Sequence, residues 1–195
     1  CGGYLRASNA DWDRTHDWGA GREAARQKMK KVAVLGSGSW GTALAFHLAN
    51  VGHEVRLWGR NADLIDEMKS RRANAVYLPD VVLPVGVAPT ASLEEALERA
   101  EIVLAALPSH GTRAVIRSAS PFISRQALIV SATKGIEMDT LMLVSEIFED
   151  VLPASEHLRL AYLGGPSFAK EVAACLLLLG GRRVAIAPSQ ERAGQ

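Results

Sequence analysis

Cysteine is scarce in this sequence, because the 195 residues contain only Cys1 and Cys175, which lie far apart in the chain. With only five histidines as well, no spacing typical of a metal site and no disulfide framework can be found. The net charge is nearly balanced, at +1, so the chain as a whole does not favour a nucleic acid as a partner. We therefore expect no metal and no nucleic-acid partner, and a reducing compartment, the cytoplasm.

Long apolar runs are missing as well. The longest run, Val172 to Leu179, is far shorter than the ~20 residues that cross a bilayer, so we expect no stable membrane insertion. No secretory signal is recognisable at the beginning of the sequence. What the sequence does contain is 48% hydrophobic residues, which is enough for a sizeable core.

Residues 1–28 differ from the rest of the chain because they are polar, contain glycine and show no apolar period. The first methionine, Met29, leads directly into an apolar strand pattern. We therefore divide the chain into a loose extension, residues 1–28, and one domain, residues 29–195, with Met29 as the natural start. A lipid-modified Cys1 is the alternative, although no signal segment accompanies it.

The motif GSGSWG, residues 36–41, has the G-x-G-x-x-G spacing. An apolar, β-branched run at 32–35 precedes it and a stretch of helix formers follows it, which is the context in which this motif binds dinucleotides. We expect Gly36 to form the tight turn, Gly38 to let a pyrophosphate approach the backbone, and Gly41 to let the helix pack on the strand. The N-terminus of that helix would bind the phosphates. A plain glycine-rich turn is the alternative.

Short apolar strand patterns alternate with helical patterns along the rest of the chain. Further strands are predicted at residues 54–58, 85–88, 102–106, 128–130, 160–163 and 184–187. Helices are predicted at 62–72 with Asn61 as N-cap, after the capping box that begins at Ser92, and at 138–151, whereas 77–84 is predicted to be irregular. This alternation predicts an α/β fold with a doubly wound parallel sheet, a Rossmann-type dinucleotide-binding domain.

Arg60 follows the second predicted strand, about twenty residues past the glycine motif, where NAD-specific proteins usually carry an Asp or Glu. A guanidinium at this position can pair with a 2′-phosphate and lie over the adenine, which favours NADP over NAD. An ordinary surface arginine is the alternative.

Other polar residues follow the later strands, where ligands bind in sheets of this kind. Lys134, next to a glycine, is suited to place a positive charge near a phosphate or a carbonyl. The segment 164–171 is typical of a glycine turn in which Ser167 caps a helix whose N–H groups could bind an anion. His110 is a candidate acid or base, but a lone histidine in a loop is more often a simple hydrogen-bonding group.

Taken in order, the motifs GSGSWGTALA, GHEVRLWGR, YLPDVVLP, LPSH, SATKGIE and GGPSFAKEVA resemble the N-terminal half of bacterial NAD(P)-dependent glycerol-3-phosphate dehydrogenases. The resemblance covers residues 29–173. It implies reduction of dihydroxyacetone phosphate to sn-glycerol 3-phosphate, for phospholipid synthesis in the cytoplasm. It also implies two sets of binding residues: for the dinucleotide, the motif glycines with Ser39, Trp40, Arg60, Lys134 and Ala169, and for the substrate, Lys134, Gly165 and Ser167.

The resemblance weakens at residues 174–183, where the family usually has a Gly-Leu-Pro-Thr-like turn. It further implies that the proton-donating lysine belongs to a helical C-terminal domain beyond Gln195, so we assign no catalytic residue. We therefore expect a cofactor-binding half that is inactive alone, with a homodimer as an option for the full-length form. A non-catalytic nucleotide-binding module, acting as a sensor or partner subunit, is the alternative. A relative of 6-phosphogluconate or ketopantoate reductases is disfavoured by Lys134 and the 165–167 turn.

Overall fold

The chain folds around a seven-stranded β-sheet, seen in a computed structural model that describes residues 29–163 and the short strand at 187–188. The strands are β1 (Lys31–Leu35), β2 (Glu54–Trp58), β3 (Ala73–Asn74), β4 (Leu78–Val82), β5 (Val87–Thr90), β6 (Ile102–Ala105), β7 (Leu128–Ser131), β8 (Leu160–Tyr162) and β9 (Ala187–Pro188). The helices are α1 (Ser39–Asn50), α2 (Ala62–Arg71), α3 (Leu93–Leu97), α4 (Ser109–Ala119) and α5 (Val144–Val151), with 3₁₀ turns at Ser120–Phe122 and Ala154–Arg159.

The strand order is β5-β2-β1-β6-β7-β8-β9. The first six strands pair in parallel, and β9 runs antiparallel to its neighbour β8. From β1 the chain winds outward to β2 and β5, and then crosses back to continue on the other side with β6. The predicted doubly wound parallel sheet is therefore confirmed, and its switch point lies between β1 and β6.

The core consists of two apolar layers, one on each face of the sheet. Ala33 and Leu35 of β1 point to one layer, which contains Phe148 of α5, and Val34 points to the other, which contains Ile65 of α2. All of these side chains are fully buried. Burial of a large apolar side chain contributes about 1.5–3 kcal/mol, so these two layers explain why the central strands β1, β6 and β7 are nearly continuous apolar runs rather than alternating ones.

Two predicted helix starts are confirmed by their capping contacts. The Asn61 side chain accepts a hydrogen bond from Leu64 N at 3.2 Å at the start of α2. The Ser92 hydroxyl accepts one from Glu95 N at 3.2 Å at the start of α3, which is only five residues long. Side-chain oxygens at these positions satisfy N–H groups that the helix itself leaves unpaired.

The prediction of irregular structure at residues 77–84 was wrong, because β3 and β4 form an antiparallel hairpin there. The buried Asn74 side chain sets its position: the amide group donates to Ser37 O and to Thr42 Oγ1, both at 2.8 Å. The Asn74 carbonyl oxygen accepts from Tyr77 N at 3.1 Å. The hairpin is therefore attached to the glycine motif by contacts that span more than thirty residues of sequence.

The prediction of one helix over residues 138–151 was also wrong, because α5 begins only at Val144. The preceding residues form a loop that is closed by a bridge between Ile136 and Leu143 and that places Leu141 in the left-handed region, at φ 59°. Helix α4 was not predicted from the sequence, and the strand predicted at 85–88 lies two residues later, as β5.

Several predictions fall partly or wholly on residues that the structure does not describe. They include the loose extension 1–28 and most of the strand at 184–187, of which Ala187 alone is described, in β9. In the described part of the chain, none of the helices combines the length and the apolar character that crossing a membrane requires.

Candidate functional site

A cleft of about 570 Å³ opens at the switch point between β1 and β6. In a sheet of this type this is where ligands bind. Its lining residues come from the β1–α1 turn, the carboxyl ends of β2, β6 and β7, the hairpin, and the N-terminal parts of α2 and α4. They are Gly36, Ser37, Gly38, Ser39, Trp40, Trp58, Arg60, Asn61, Leu64, Tyr77, Ala106, Leu107, Pro108, His110, Gly111, Val115, Ala132 and Lys134.

The three glycines of the motif have different surroundings. Gly36 has φ +118°, and a Cβ there would lie 2.3 Å from Ala106 O, so only glycine fits this turn. A Cβ on Gly41 would lie 1.8 Å from Gly36 O, which shows how closely α1 approaches the turn. A Cβ on Gly38, in contrast, would meet nothing within 4 Å. The tight turn and the close packing that the spacing predicts are both present, and the backbone at Gly38 faces open space in the cleft.

The N-terminus of α1 faces this open space. Gly38 is its N-cap, no side chain caps the helix, and its first turn contains no acidic residue. The first N–H groups of a helix have no acceptors within the helix, and the helix dipole adds partial positive charge at this end. The geometry is therefore suited to bind an anion such as a pyrophosphate, as the motif predicts.

Trp40 connects the glycine motif to the end of β7. Its indole Nε1 donates a hydrogen bond to Ala132 O at 3.1 Å, and Lys134 Nζ lies 5.2 Å from the centroid of its ring. This distance is within the range of a cation–π contact. Two residues predicted separately, one from the glycine motif and one from a distant loop, therefore lie together at one side of the cleft.

Arg60 lies at the carboxyl end of β2, at the other side of the glycine motif, and is exposed. Its Nη2 atom lies 3.9 Å from the position that a Cβ on Gly111 would occupy, so the guanidinium extends toward the start of α4. The absence of a side chain at Gly111 leaves room beside it. A planar group such as an adenine could lie against this guanidinium, with a 2′-phosphate as its ionic partner.

The hairpin forms a wall of the cleft that sequence reasoning missed. Ser39 Oγ donates a hydrogen bond to Tyr77 O at 2.7 Å, and the Tyr77 side chain lines the cleft while remaining 47% exposed. The proline-marked stretch YLPDVVLP was part of the family resemblance but carried no signal of its own for a binding wall. We expect the Tyr77 ring to contact whatever occupies the cleft.

Helix α4 supplies a further wall. Pro108 is its N-cap, and His110 and Gly111 in its first turn line the cleft. The first turn of α4 contains no acidic residue and has no side-chain cap, so a second helix N-terminus is directed to the same space. The structure thus places His110 at the site, although no pattern in the sequence distinguished it from an ordinary loop histidine.

Glu137 lies behind the loop that carries Lys134 and is only 6% exposed. Arg113 of α4 donates to both carboxylate oxygens, from Nε at 2.9 and 3.1 Å and from Nη2 at 2.9 Å, and Thr140 Oγ1 donates at 2.6 Å. Arg113 also contacts Asp150 of α5. The hydrogen bonds from Arg113, followed by that from Thr140, lower the pKa of Glu137 against the opposing effect of burial. Those to Glu137 and Asp150 raise the pKa of Arg113.

These contacts make the stability of the fold depend on pH, and stability is lost toward acid pH. Since folding lowers the pKa of Glu137, its contribution to stability is complete above its ordinary value of 4.5 and is lost as the pH falls through the lowered folded value. We therefore expect Glu137→Gln to be less stable than the wild type at pH 7 but to lose less stability below pH 4.5. Thermal unfolding followed by circular dichroism between neutral and acid pH measures both effects.

The matched control for this prediction is Glu67→Gln, which removes a surface carboxylate, 34% exposed, that pairs with the 67% exposed Arg71 at 3.0 Å on α2. Exposed pairs of this type contribute about 0–1 kcal/mol, so this variant should follow the wild-type curve. Parallel curves for Glu137→Gln and the wild type would contradict the role assigned to the Glu137 carboxylate.

Three predicted binding residues, Gly165, Ser167 and Ala169, lie outside the described residues. The contacts predicted for them therefore stay predictions. Among the residues that the structure does describe, no cluster of His, Cys, Asp and Glu is arranged to hold a metal ion.

Comparison with known proteins shows which family has a similar sequence. A sequence profile described as the NAD-dependent glycerol-3-phosphate dehydrogenase N-terminus matches residues 31–179. Glycerol-3-phosphate dehydrogenase (NAD(P)+) of Geobacter sp. is 49% identical over 144 residues, which are 74% of this chain and 43% of the relative. The enzyme of the same name from Bacillus subtilis is 44% identical over 144 residues, 74% of this chain and 42% of its own length. The chain thus spans less than half the length of these curated relatives.

Solved structures agree with the sequence matches. The crystal structure of glycerol-3-phosphate dehydrogenase from Coxiella burnetii matches with a TM-score of 0.68 and 36% identity, over 75% of this chain and 44% of that one. A ketopantoate reductase family member from Ralstonia eutropha matches with a TM-score of 0.52 at 21% identity, over 68% of this chain and 40% of that one. The second likeness shows the fold alone.

Proposed function

Because this chain belongs to the NAD-dependent glycerol-3-phosphate dehydrogenase family, whose N-terminal portion it matches, we propose that its cleft binds NADP or NAD. In the whole enzyme this cleft serves the reduction of dihydroxyacetone phosphate to sn-glycerol 3-phosphate, a precursor of phospholipids. The two curated relatives described above are both named glycerol-3-phosphate dehydrogenase (NAD(P)+), which supports this reaction class.

The observation that carries the proposal is the open backbone at Gly38. It lies at an uncapped helix N-terminus, in a turn where the neighbouring motif glycines are tightly enclosed. A phosphate needs both close approach to backbone N–H groups and the absence of a Cβ, and both conditions are met at this position. Ser39, in the first turn of α1, adds a hydroxyl beside the same space.

The remaining residues of the cleft divide between the two ends of a dinucleotide that extends across the switch point. Arg60 binds the adenosine end, where its charge favours NADP. Trp40 and Lys134 lie toward the nicotinamide end, at the end of β7. The bound cofactor supplies the hydride. Lys134 supplies positive charge for the substrate phosphate or carbonyl, which stabilises the negative charge that develops on the oxygen.

Gly165, Ser167 and Ala169, which lie outside the described residues, complete the proposed site. In this proposal, Gly165 and Ser167 bind the sugar phosphate and Ala169 contacts the dinucleotide. We further propose that the enzyme acts in the cytoplasm and that the full-length form is a homodimer. The absence of a membrane-spanning helix in the described part of the chain is compatible with the first of these.

The direct test is a calorimetric titration of the chain with NADPH. We expect saturable binding to one site, and Gly38→Ala should weaken it about tenfold or more, since contacts to a charged group contribute about 1.5–3 kcal/mol. The added methyl group meets no protein atom within 4 Å, so the fold should not change. Absence of NADPH binding by folded wild-type chain would contradict the proposal, and equal affinities would place the pyrophosphate elsewhere.

Cofactor preference gives a second prediction, on Arg60→Asp. A carboxylate at this position would accept a hydrogen bond from the ribose 2′-hydroxyl and repel a 2′-phosphate. We expect preference to move from NADPH toward NADH by roughly tenfold or more, from about 1.5–3 kcal/mol per charged hydrogen bond. Paired titrations with both nucleotides measure the change.

Arg71→Asp is the control, because this arginine lies on α2 and its side chain is 67% exposed, away from the cleft lining. It should leave both affinities unchanged. If Arg60→Asp behaves in the same way, Arg60 does not contact the nucleotide.

A further inference from the structure

The turn formed by Thr133, Lys134 and Gly135 brings Lys134 to the cleft. Its first residue is anchored to the end of β6, because Thr133 Oγ1 accepts a hydrogen bond from Leu107 N at 3.1 Å. Gly135 has φ +100°, and a Cβ there would lie 3.4 Å from Ser109 Oγ at the start of α4. The turn therefore lies between β6 and α4.

The second anchor is the Glu137 carboxylate, which is fixed to α4 by the paired hydrogen bonds from Arg113. The Glu137 backbone is fixed as well, since its N–H donates to Met142 O and its C=O accepts from Leu141 N, both at 2.9 Å. Neither Arg113 nor Glu137 lines the cleft. The Arg113–Glu137 pair therefore contacts the loop on the side that faces away from the cleft.

The contact with Trp40 does not explain by itself why Lys134 lies where it does. Lys134 is exposed, and a cation–π contact at an exposed site is weaker than the conformational entropy that a lysine side chain loses when it is ordered. The backbone conformation of the turn also limits the directions in which the Lys134 side chain can extend. A bidentate Arg–carboxylate pair three residues further along, with the Glu137 carboxylate buried and Arg113 partly buried, is a geometrically specific means of fixing that backbone.

We propose that Arg113, acting through Glu137, is a positioning residue that holds Lys134 over the Trp40 ring at the edge of the cleft. Its importance for catalysis rests on the proposed function, in which Lys134 contacts the substrate. The placement of Lys134 can be measured without any ligand.

The experiment uses the 195-residue chain labelled with carbon-13 at the lysine ε-carbons. A methylene group above an indole ring experiences its ring current, so the ε-protons of Lys134 should resonate upfield of those of solvated lysines. Lys134→Met identifies the signal by its disappearance, and Trp40→Leu should abolish the shift. We expect Glu137→Gln to lose the upfield shift, and Arg113→Lys, which keeps the charge but not the two-pronged geometry, to lose most of it. Glu67→Gln removes an Arg–Glu pair on α2 and should leave the shift unchanged.

A merely structural role for the pair predicts another result, namely a lower melting temperature with the Lys134 shift intact, and this result would overturn the proposal. So would a wild-type Lys134 signal without an upfield shift. If Glu137→Gln does not fold, Arg113→Lys decides the question by the same signal. A parallel NADPH titration of the wild type tests the proposed function separately from the positioning of Lys134. Failure to bind NADPH would contradict the proposed function and would leave the ligand-free result on positioning valid.

Discussion

Gly41→Ala is expected to prevent folding of the chain or to destabilise it by about 4 kcal/mol or more, an exceptional effect for one methyl group. The new Cβ would lie 1.8 Å from the carbonyl oxygen of Gly36. Gly36 cannot move away, because its own backbone, at φ +118°, packs against Ala106 O. Alanine gains about 0.8–1.0 kcal/mol over glycine in a helix, which is too little to offset this overlap.

Thermal and denaturant unfolding followed by circular dichroism measure the effect of Gly41→Ala. Gly38→Ala is the matched control, since it lies in the same motif and its Cβ meets nothing within 4 Å. We expect this control to unfold close to the wild-type temperature. Equal stability of the Gly41→Ala variant would mean that α1 and the β1–α1 turn are farther apart in solution than in the structure.

Lys134→Met is expected to lower kcat/KM about 10²–10³-fold in a complete enzyme, while the affinity for NADPH falls little. In the proposed function, the charge of Lys134 acts mainly when the substrate or its transition state is present. Methionine has a side chain of similar length without the charge, so folding should be preserved. Because the chain spans 43% of the Geobacter relative, the measurement requires a chimera in which this chain replaces the matching segment of that enzyme.

Steady-state kinetics and NADPH titration on the same chimera decide the role of Lys134. Lys69→Met is the control, because Lys69 is an exposed lysine on α2, 52% exposed and paired with Asp66. It should not affect either measurement. Loss of NADPH affinity with normal turnover at saturation would assign Lys134 to the cofactor alone, and no effect on either would place it outside the site.

The parts of the fold that could be predicted from sequence are those with local causes. The glycine turn depends on residues within one six-residue motif, and the caps at Asn61 and Ser92 depend on N–H groups three residues later. Buried parallel strands can also be recognised from the sequence, because both faces of such a strand must be apolar. These features were enough to predict the sheet and the position of the glycine turn at its ligand-binding edge.

The parts that could not be predicted depend on partners distant in sequence. The hairpin depends on contacts of Asn74 with Ser37 and Thr42, and the loop before α5 depends on Arg113, 24 residues before Glu137. Helix α4 begins with Ser-His-Gly-Thr, which has low helix propensity, and is stabilised by apolar residues such as Val115 that pack into the core. The burial of Glu137 was not predicted either, because nothing in the local sequence indicates it.

The position of Trp40 has an optical consequence. Its indole is hydrogen-bonded to the end of β7, lies beneath an ammonium group and is only partly buried, so its emission depends on the polarity and charge of the cleft. Trp58 also lines the cleft, but it is 6% exposed and its Nε1 donates to Ala91 O at 3.0 Å, so we expect its emission to change less than that of Trp40. With Trp12 and Trp18 replaced by phenylalanine, the intrinsic fluorescence of the chain should report whether a ligand occupies the cleft. Trp40 would then report on the glycine motif and on the Lys134 turn at the same time, because it contacts both the end of β7 and the lysine.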